Sequence, residues 1–391
     1  MPSQSFMPCR GIDNLSEDAA MVQGGREPYV YVRDANNVNV TPAGKIEMIA
    51  SGGKVTDSRF QNLWQSPLHK DVFAVLGNNL VKVNTADWTH EAIATIGNGG
   101  TVVYEVLNNH VIAANKNGLF VYDGQTCQPL TIDRPPMPVA YGGIDRTKQT
   151  RSIAISWLRG SMESSLSDYV TAGATTDVVL PMVLDPTITA VNIYATNLGG
   201  TDMQLAGTVN RDATSFTITN DHKLGMAAQF AHLSPMPTGK FLCYWNGRLI
   251  TATANVIRFS EPLAYHLHDE RHGFIQTSQR VTFLQPVSGG LWVGQADHVI
   301  FIQGSTPDDM VIIPKNTAAP IPGSAIQIDA AEIGEIAEGG DKAVVWLSAK
   351  GYVAGNSGGQ LVEYQAKRIN NISAASGTTV RLARRLLTAV N

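Results

Sequence analysis

The sequence has little charge, few cysteines and no long apolar run. Charged residues make up 16 % of its 391 residues, and the formal net charge is −4. Sequence-specific nucleic-acid binding needs a basic surface, so a slightly acidic chain argues against that class. The three cysteines are odd in number and far apart, which excludes a disulfide framework and a zinc site. No apolar run approaches the length of about 18 residues that a membrane-spanning helix requires.

Targeting and helical signals are also scarce. The first residues lack a basic region followed by an apolar stretch, so we expect no secretory signal. No long stretch has a period of 3.6 residues. Only two segments, Ala318 to Gln327 and Arg381 to Val390, suggest short helices.

Short apolar runs separated by tight turns dominate the chain instead. One unit recurs: an apolar strand, a turn, a second strand, a second turn and a third strand. Its turns contain asparagine and glycine, which adopt positive φ at little cost. Three or four antiparallel strands every 30 to 60 residues are typical of β-propeller blades. The units are Val72 to Val83, Val103 to Tyr122, Leu242 to Phe259, Phe283 to Ile302 and Val344 to Tyr364, with turns at Asn78-Asn79, Asn108-Asn109, Asn246-Gly247, Gly289-Gly290 and Lys350-Gly351.

Two proline-rich junctions, 133–138 and 234–237, interrupt this series. Between them, short strands follow one another at the spacing of a β-sandwich. We predict an all-β protein, a β-propeller-like domain of five or six blades with an inserted fibronectin-III/Ig-like sandwich. The predicted domains are 1–137 (first blades), 138–225 (sandwich) and 226–391 (remaining blades and tail). A sandwich of meanders without a propeller is the alternative.

Several segments resemble proteins of tailed-bacteriophage virions. Residues 9–47, with VRDANNVNV followed by a glycine turn, resemble the opening of such proteins. RFSEPLAYHLHDERHGFI (258–275) and GGLWVGQADHVIFIQGSTPDDM (289–310) resemble their blade motifs. In the sandwich, Glu163-Ser-Ser-Leu-Ser167 before Ile193-Tyr194 resembles their fibronectin-III-like module.

This resemblance is most specific to the tail nozzle of short-tailed phages. It implies a structural virion protein, made in the host cytoplasm, whose copies form a ring, most often a hexamer. It also implies contacts with an adaptor or portal-side protein and with fibre or needle proteins, while genomic DNA passes non-specifically through the channel. A host-surface carbohydrate-binding propeller and a cellular propeller scaffold are the alternatives.

Candidate chemistry is weak. His266, His268, Asp269, Glu270 and His272 could bind a metal, but no distant ligand completes a site, and a hydrogen-bonded or solvated loop is the better interpretation. Carboxylates that could serve a hydrolase form no motif; they are Glu163, Asp168, Asp177, Glu261, Asp269 and Glu270. We therefore expect no enzyme, no catalytic residues, no cofactor and no metal.

Three further features have open interpretations. An acidic series is either a solvated face or a channel wall that repels DNA. A basic tail, Arg381, Arg384 and Arg385, either pairs with acidic neighbours or is free. A hairpin over Asn36 to Ile49 either closes a blade or docks on a neighbouring molecule. The acidic series is Asp297, Asp308, Asp309, Asp329, Glu332, Glu335, Glu338 and Asp341, and the aromatics for the carbohydrate alternative are Trp64, Trp88, Trp245, Trp292 and Trp346.

Overall fold

A computed structural model describes residues 7–49, 52–68, 70–142, 148–334, 341–382 and 385–391. In these ranges every regular element is a β-strand, apart from two single-turn 3₁₀ helices, Asp18–Ala20 and Ala330–Glu332. The same ranges contain no helix long and apolar enough to cross a membrane. The protein is all-β, as the short apolar runs predict.

The N-terminal part forms two small sheets. Strands β1 (Cys9–Ile12), β2 (Val22–Gln23) and β3 (Tyr29–Val32) form one sheet in the order β1-β3-β2. Strands β4 (Val38–Val40) and β5 (Ile46–Met48) form a separate hairpin.

Five four-stranded antiparallel sheets then follow along the chain, and we number them blades 1 to 5. Each is an antiparallel meander whose strands pair in chain order, and in blade 3 the short strand β26 lies in the loop between the last two. The first two blades precede the sandwich. Blade 1 contains β6 (Gln61–Gln65), β7 (Val72–Leu76), β8 (Asn79–Val83) and β9 (His90–Thr95); blade 2 contains β10 (Val103–Leu107), β11 (His110–Asn115), β12 (Gly118–Tyr122) and β13 (Cys127–Pro129).

A two-sheet sandwich is inserted between blades 2 and 3. One sheet has the order β14-β18-β21, and the other has the order β16-β15-β19-β20 with β17 also paired to β15. Its core contains Ile153, Ile155, Val178, Val191 and Ile193. The strands are β14 (Val139–Tyr141), β15 (Arg151–Arg159), β16 (Met162–Glu163), β17 (Val170–Ala172), β18 (Thr176–Val179), β19 (Ala190–Ala195), β20 (Gln204–Asn210) and β21 (Ser215–Ile218). The exact domain boundaries, 138 and 225, stay predictions.

Blades 3 to 5 and a C-terminal hairpin complete the chain. A short pair, β22 and β26, lies beside blade 3. Strand β22 is Ser234–Pro235, and blade 3 contains β23 (Phe241–Trp245), β24 (Arg248–Thr253), β25 (Val256–Phe259) and β27 (Phe274–Gln276), with β26 (Leu267–His268) in its last loop. Blade 4 contains β28 (Val281–Val287), β29 (Gly290–Gln295), β30 (Val299–Gln303) and β31 (Val311–Lys315). Blade 5 contains β32 (Ile326–Asp329), β33 (Lys342–Ser348), β34 (Gly351–Gly355) and β35 (Leu361–Glu363), and the C-terminal hairpin contains β36 (Gly377–Leu382) and β37 (Arg385–Val390).

Consecutive blades pack face to face, which gives the domain its propeller-like architecture. A separate apolar core lies between each pair. Between blades 4 and 5 the core is aromatic: the Trp292 ring centroid lies 4.9 Å from that of Phe301 and 5.4 Å from that of Trp346. The cores between the other blades contain Phe73 and Tyr122, whose ring centroids lie 5.6 Å apart, Leu107 and Leu242, and Ile250 and Leu284.

The two end faces of this series are covered by a residue that precedes blade 1, by a loop of blade 1 and by the C-terminal hairpin. Phe60 and Trp88 pack on the outer face of blade 1. Leu386 of the C-terminal hairpin packs on the outer face of blade 5. The chain ends also meet, since the Asn14 side chain accepts a hydrogen bond from the Asn370 backbone N–H and donates one to its carbonyl, both at 3.0 Å.

The structure corrects three sequence expectations. The hairpin β4–β5 is present, but it forms its own sheet and adds no strand to a blade. Residues 318–325 form a loop that leads into β32, which begins at 326, and the described part of the predicted helix over 381–390 is the end of β36 and all of β37. Pairing with β36 satisfies the backbone of β37 and leaves Leu386 on the buried face, so an antiparallel hairpin replaces the helix.

The loops of each blade point to two opposite faces. In an antiparallel meander, the first and third loops lie at one end of the sheet and the second lies at the other. We call the two ends the AB face and the BC face; the connections between blades lie on the BC face. Contacts at each face confirm that the blades are aligned. On the BC face, Asn115 in blade 2 donates to the carbonyl of Ile96 in the preceding connection at 3.1 Å. On the AB face, Ser288 in blade 4 hydrogen-bonds Asp341 in blade 5.

Candidate functional site

Two of the three histidines in the loop after β25, His266 and His268, are buried and bonded to backbone carbonyls, whereas His272 is exposed. Nε2 of His266 lies 2.8 Å from the carbonyl oxygen of Glu163 in the sandwich. Nδ1 of His268 lies 2.9 Å from the carbonyl oxygen of Phe259. A carbonyl oxygen can only accept, so the ring nitrogen that faces it carries a proton and each imidazole is the donor in its contact.

The electrostatics of these histidines support the same conclusion. Burial lowers the pKa of His266 and of His268 below the ordinary value, although the carbonyl contacts act in the opposite direction. Asp269 is engaged by Arg271, with 3.1 Å between Oδ2 and Nη2. Within the described ranges no three metal-ligating side chains come together. The hydrogen-bonded interpretation of His266 and His268 is confirmed, and His266 joins the sandwich to blade 3.

Glu163 lies at the centre of a polar network in the sandwich. Its carboxylate accepts hydrogen bonds from the Tyr194 hydroxyl at 2.7 Å, from Asn192 Nδ2 at 3.0 Å and from the Ser156 hydroxyl. Thr208 donates in turn to Asn192 at 2.6 Å. Burial, followed by the bond to Glu163, raises the pKa of Tyr194. A carboxylate with three donors already in place is better suited to holding strands together than to proton transfer.

The remaining carboxylates of the hydrolase hypothesis are spread over two modules. In the sandwich, Asp168 pairs with Arg134 at 2.9 Å, and Asp177 accepts from the Thr217 hydroxyl at 2.6 Å. Glu261, Asp269 and Glu270 lie in the loop between β25 and β27. Four of these five acids already have a partner, since Glu261 lies 3.9 Å from Arg248 and Asp269 pairs with Arg271.

One half-buried acid, Glu105, was not among the sequence candidates. Glu105 in β10 faces blade 3 and accepts the backbone N–H of Tyr244 at 3.2 Å. Burial raises the pKa of Glu105, and two backbone hydrogen bonds oppose that shift. The alternation VYEVL places Glu105 on the same side of β10 as Val103 and Leu107, which is the only signal that the sequence offers.

The tryptophans that the carbohydrate alternative requires are in the cores. Trp245, Trp292 and Trp346 are buried. Trp64 stacks on Tyr104 at 5.0 Å between ring centroids, and Trp88 packs on Phe60. A glycan platform needs exposed aromatic faces, so these five side chains do not form one.

The AB face is strongly acidic. The first and third loops of the blades contain only two basic residues in the described ranges, Lys70 and Arg271. Some of the acids are paired, for example Glu332 with Arg381 at 2.5 Å. The acids in these loops are Asp71, Asp87, Asp123, Glu261, Asp269, Glu270, Asp308, Asp309, Glu332 and Asp341.

The acidic series predicted near the end of the chain is divided between the two faces. Asp308, Asp309 and Glu332 lie in AB-face loops, and Asp329 ends β32 beside them, whereas Asp297 lies on the BC face. Glu335 and Glu338 lie outside the described residues, as does Arg384 of the basic tail. Within that tail, Arg381 pairs with Glu332, as one interpretation predicts, and Arg385 donates to Asn39 at 3.0 Å.

The BC face is basic. Its loops and the direct inter-blade connections contain Lys116, Arg280 and Lys350, and the single acid among these described residues is Asp297. Lys240 lies on the same face, at the end of the segment that leads from the sandwich into blade 3, and all four cations are exposed. None of the four cations forms an ion pair with a described carboxylate. The two faces therefore carry charges of opposite sign, because the acids lie mainly in the first and third loops and the cations in the second loops and connections.

Two cavities open on the BC face and share Lys240. The first, about 330 Å³, is lined by Lys116, Lys240 and three threonines, Thr101, Thr238 and Thr253. The second, about 490 Å³, is lined by Lys240 and Arg280 together with apolar residues and prolines. No carboxylate lines either cavity, so this face offers unneutralised positive charge to a partner.

Comparison with known proteins adds no family. No family model matches the chain, and no curated protein matches it. Solved structures that match include Saccharomyces cerevisiae Sqt1 (9 % identity, TM-score 0.32, covering 80 % of this chain and 75 % of that one). Kluyveromyces lactis Hsv2 matches at 7 % identity and TM-score 0.32, covering 85 % and 90 %. The BBS1 N-terminal domain, solved with ARL6, matches at 11 % identity and TM-score 0.34, also covering 85 % and 90 %.

At such TM-scores the likeness carries no argument about function. The propeller-like assignment rests on the five meanders and the cores between them.

Proposed function

We propose that this chain is a structural virion protein of a tailed phage, forming a ring at the tail that contributes to the DNA-ejection conduit. The ring would be a homo-oligomer, and the resemblance implies six copies. Its partners would be an adaptor or portal-side protein, fibre or needle proteins, and genomic DNA passing without sequence recognition. The role would be mechanical, without catalysis.

The observation that supports this proposal is the motif resemblance, together with the positions that the resembling segments occupy in the fold. The segment 289–310 spans the turn after β28, strands β29 and β30 and the loop that follows, which is the centre of blade 4. The segment 258–275 covers the long loop between β25 and β27, where His266 reaches the sandwich. The resembling residues therefore occupy a blade core and a module junction, positions at which a structural signature has a physical reason.

The architecture suits a load-bearing part. Each blade is hydrogen-bonded internally and packed against its neighbours by an apolar core, so the series resists bending. The sandwich is tied back to the propeller on both sides: Arg159 donates to the carbonyl of Pro129 at 2.7 Å, and His266 contacts Glu163. An inserted module held at two points can present a docking surface in a defined direction.

The carbohydrate-binding alternative has no comparable support. Its candidate tryptophans are in blade cores or stacked on neighbouring rings, as described above.

The first test is negative-stain electron microscopy with mass photometry on the purified chain, alone and with neighbouring tail proteins. A closed ring with a central hole, formed alone or only on an adaptor, is the expected result and gives the copy number. Mass spectrometry of purified particles is the companion measurement. A chain that is missing from particles and never assembles would overturn the proposal and favour a host-surface binding module.

A further inference from the structure

The AB face and the BC face of the propeller carry opposite charges. Both faces belong to the same five blades, and their charges come from loops at opposite ends of the same strands. Surface charges on a soluble protein are usually interspersed, so a separation of this kind favours an oriented contact.

The basic face is prepared for a negatively charged partner. Lys240 lies between the two cavities, with Lys116 on one side and Arg280 on the other, and no described carboxylate neutralises them. Cations left unpaired beside concave surfaces can form ion pairs with a docked acidic surface without first breaking internal ones.

The acidic face supplies matching groups. Asp308 and Glu270 are exposed and form no ion pair with a described residue. Asp309 beside them accepts the backbone N–H groups of Thr306 and Ser305, which lower its pKa and keep it charged. These carboxylates project from the third loops of blades 3 and 4.

We infer that the BC face of one copy docks on the AB face of a second copy. The contact is heterologous, because two different surfaces meet, and heterologous contacts generate rings when the rotation closes. This inference rests on the ring assembly of the proposed function and deepens it by naming the two surfaces that join successive subunits.

Charge reversal tests the contact in three steps. One variant, Lys240→Glu with Arg280→Glu, makes both faces acidic; the other, Glu270→Lys with Asp308→Lys, makes the acidic face more basic. Each variant alone should self-associate at least about tenfold more weakly than the natural chain at about 0.1 M salt. An equimolar mixture of the two should assemble better than either alone, because each reversed face then meets a complementary one.

Controls come from the sandwich and from salt. Lys223→Glu and Asp202→Lys change exposed charges that belong to no blade loop, and they should leave assembly unchanged. Raising salt from about 0.05 to 0.5 M should weaken assembly of the natural chain at least about tenfold, because the Debye length shortens. Circular dichroism checks that every variant is folded.

The outcomes separate this inference from the proposed function. A ring that forms equally well with both charge-reversed variants would overturn the face-to-face contact and leave the virion role standing. Charge-dependent assembly of a chain that is missing from purified particles would support the contact and overturn the virion role. If instead Lys240→Glu with Arg280→Glu abolished binding to a DNA duplex or to heparin without affecting assembly, the BC face would be a polyanion site and the inference would be wrong.

Discussion

Two buried tryptophans in blades 4 and 5 differ in one hydrogen bond, which makes them a matched pair. Trp292 and Trp346 are both fully buried in the same core. Nε1 of Trp292 donates to the carbonyl oxygen of Asn356 at 2.8 Å. Nε1 of Trp346 has no acceptor within reach among the described residues. Replacing either tryptophan by phenylalanine removes a similar side-chain volume, but only Trp292→Phe removes a hydrogen bond.

The structure sets the size of the difference. Losing a donor to a buried carbonyl costs about 1–3 kcal/mol. The Asn356 carbonyl also accepts the N–H of Gly359 at 3.3 Å, so it keeps one weak partner and the lower part of that range applies. Trp346→Phe removes a buried N–H that has no partner, which offsets part of its packing loss. We expect Trp292→Phe to be less stable than Trp346→Phe by about 1–2 kcal/mol.

Urea denaturation measures this difference. The two variants should share the same m-value and differ in midpoint. Because the sandwich can unfold separately, the transition of the propeller must be followed by a probe in blades 4 or 5, such as the remaining tryptophan of the pair. Equal midpoints, or a lower midpoint for Trp346→Phe, would refute the assignment of the hydrogen bond as the deciding contribution.

Three further predictions concern pH, a glycine and thiols. Burial lowers the pKa of His266 and of His268 in the folded chain, so below the ordinary histidine pKa of about 6.5 the unfolded chain binds more protons than the folded one. The free energy of unfolding should therefore fall as pH drops from about 7.5 to 5.5, and His268→Asn should flatten that dependence. A Cβ on Gly355 would lie 2.5 Å from the Trp292 ring, so Gly355→Ala should lower stability by about 1–3 kcal/mol in a thermal scan, whereas Gly24→Ala, with open space around it, should change it by less than about 0.5 kcal/mol. Burial raises the pKa of Cys127 to about 11, so native protein at pH 8 should react slowly with a thiol reagent and denatured protein rapidly; fast native labelling would contradict the burial.

The repeated units were predictable because each blade is local. The turns at Asn108-Asn109 and Asn246-Gly247 lie where the sequence predicts them, with positive φ at all four residues. Three others are displaced by one residue, to Gly77-Asn78, Ser288-Gly289 and Ala349-Lys350. Where small residues adjoin one another, composition does not determine which residues form the loop, and strand register decides.

The features that the sequence did not predict depend on residues that are distant in the chain. The segment Arg381 to Val390 has apolar residues at spacings that suit both a helix and a strand, and only pairing with β36 decides between them. The Glu163 network needs Ser156 and Tyr194, which are brought together by strand pairing across the sandwich. The separation of charge between two faces follows from strand order, so it could not be predicted before the meanders were known.

The contact between Asn14 and Asn370 has a consequence for biosynthesis. Blades 1 to 5 use hairpins between neighbouring residues, and local contacts of this kind form quickly. Asn14, by contrast, must wait for a partner that is synthesised 356 residues later. During translation each blade can form as it emerges, while β1 to β3 remain without their C-terminal contact. This contact can therefore form only after Asn370 has been synthesised, and a product truncated before Asn370 would leave the N-terminal sheet without it.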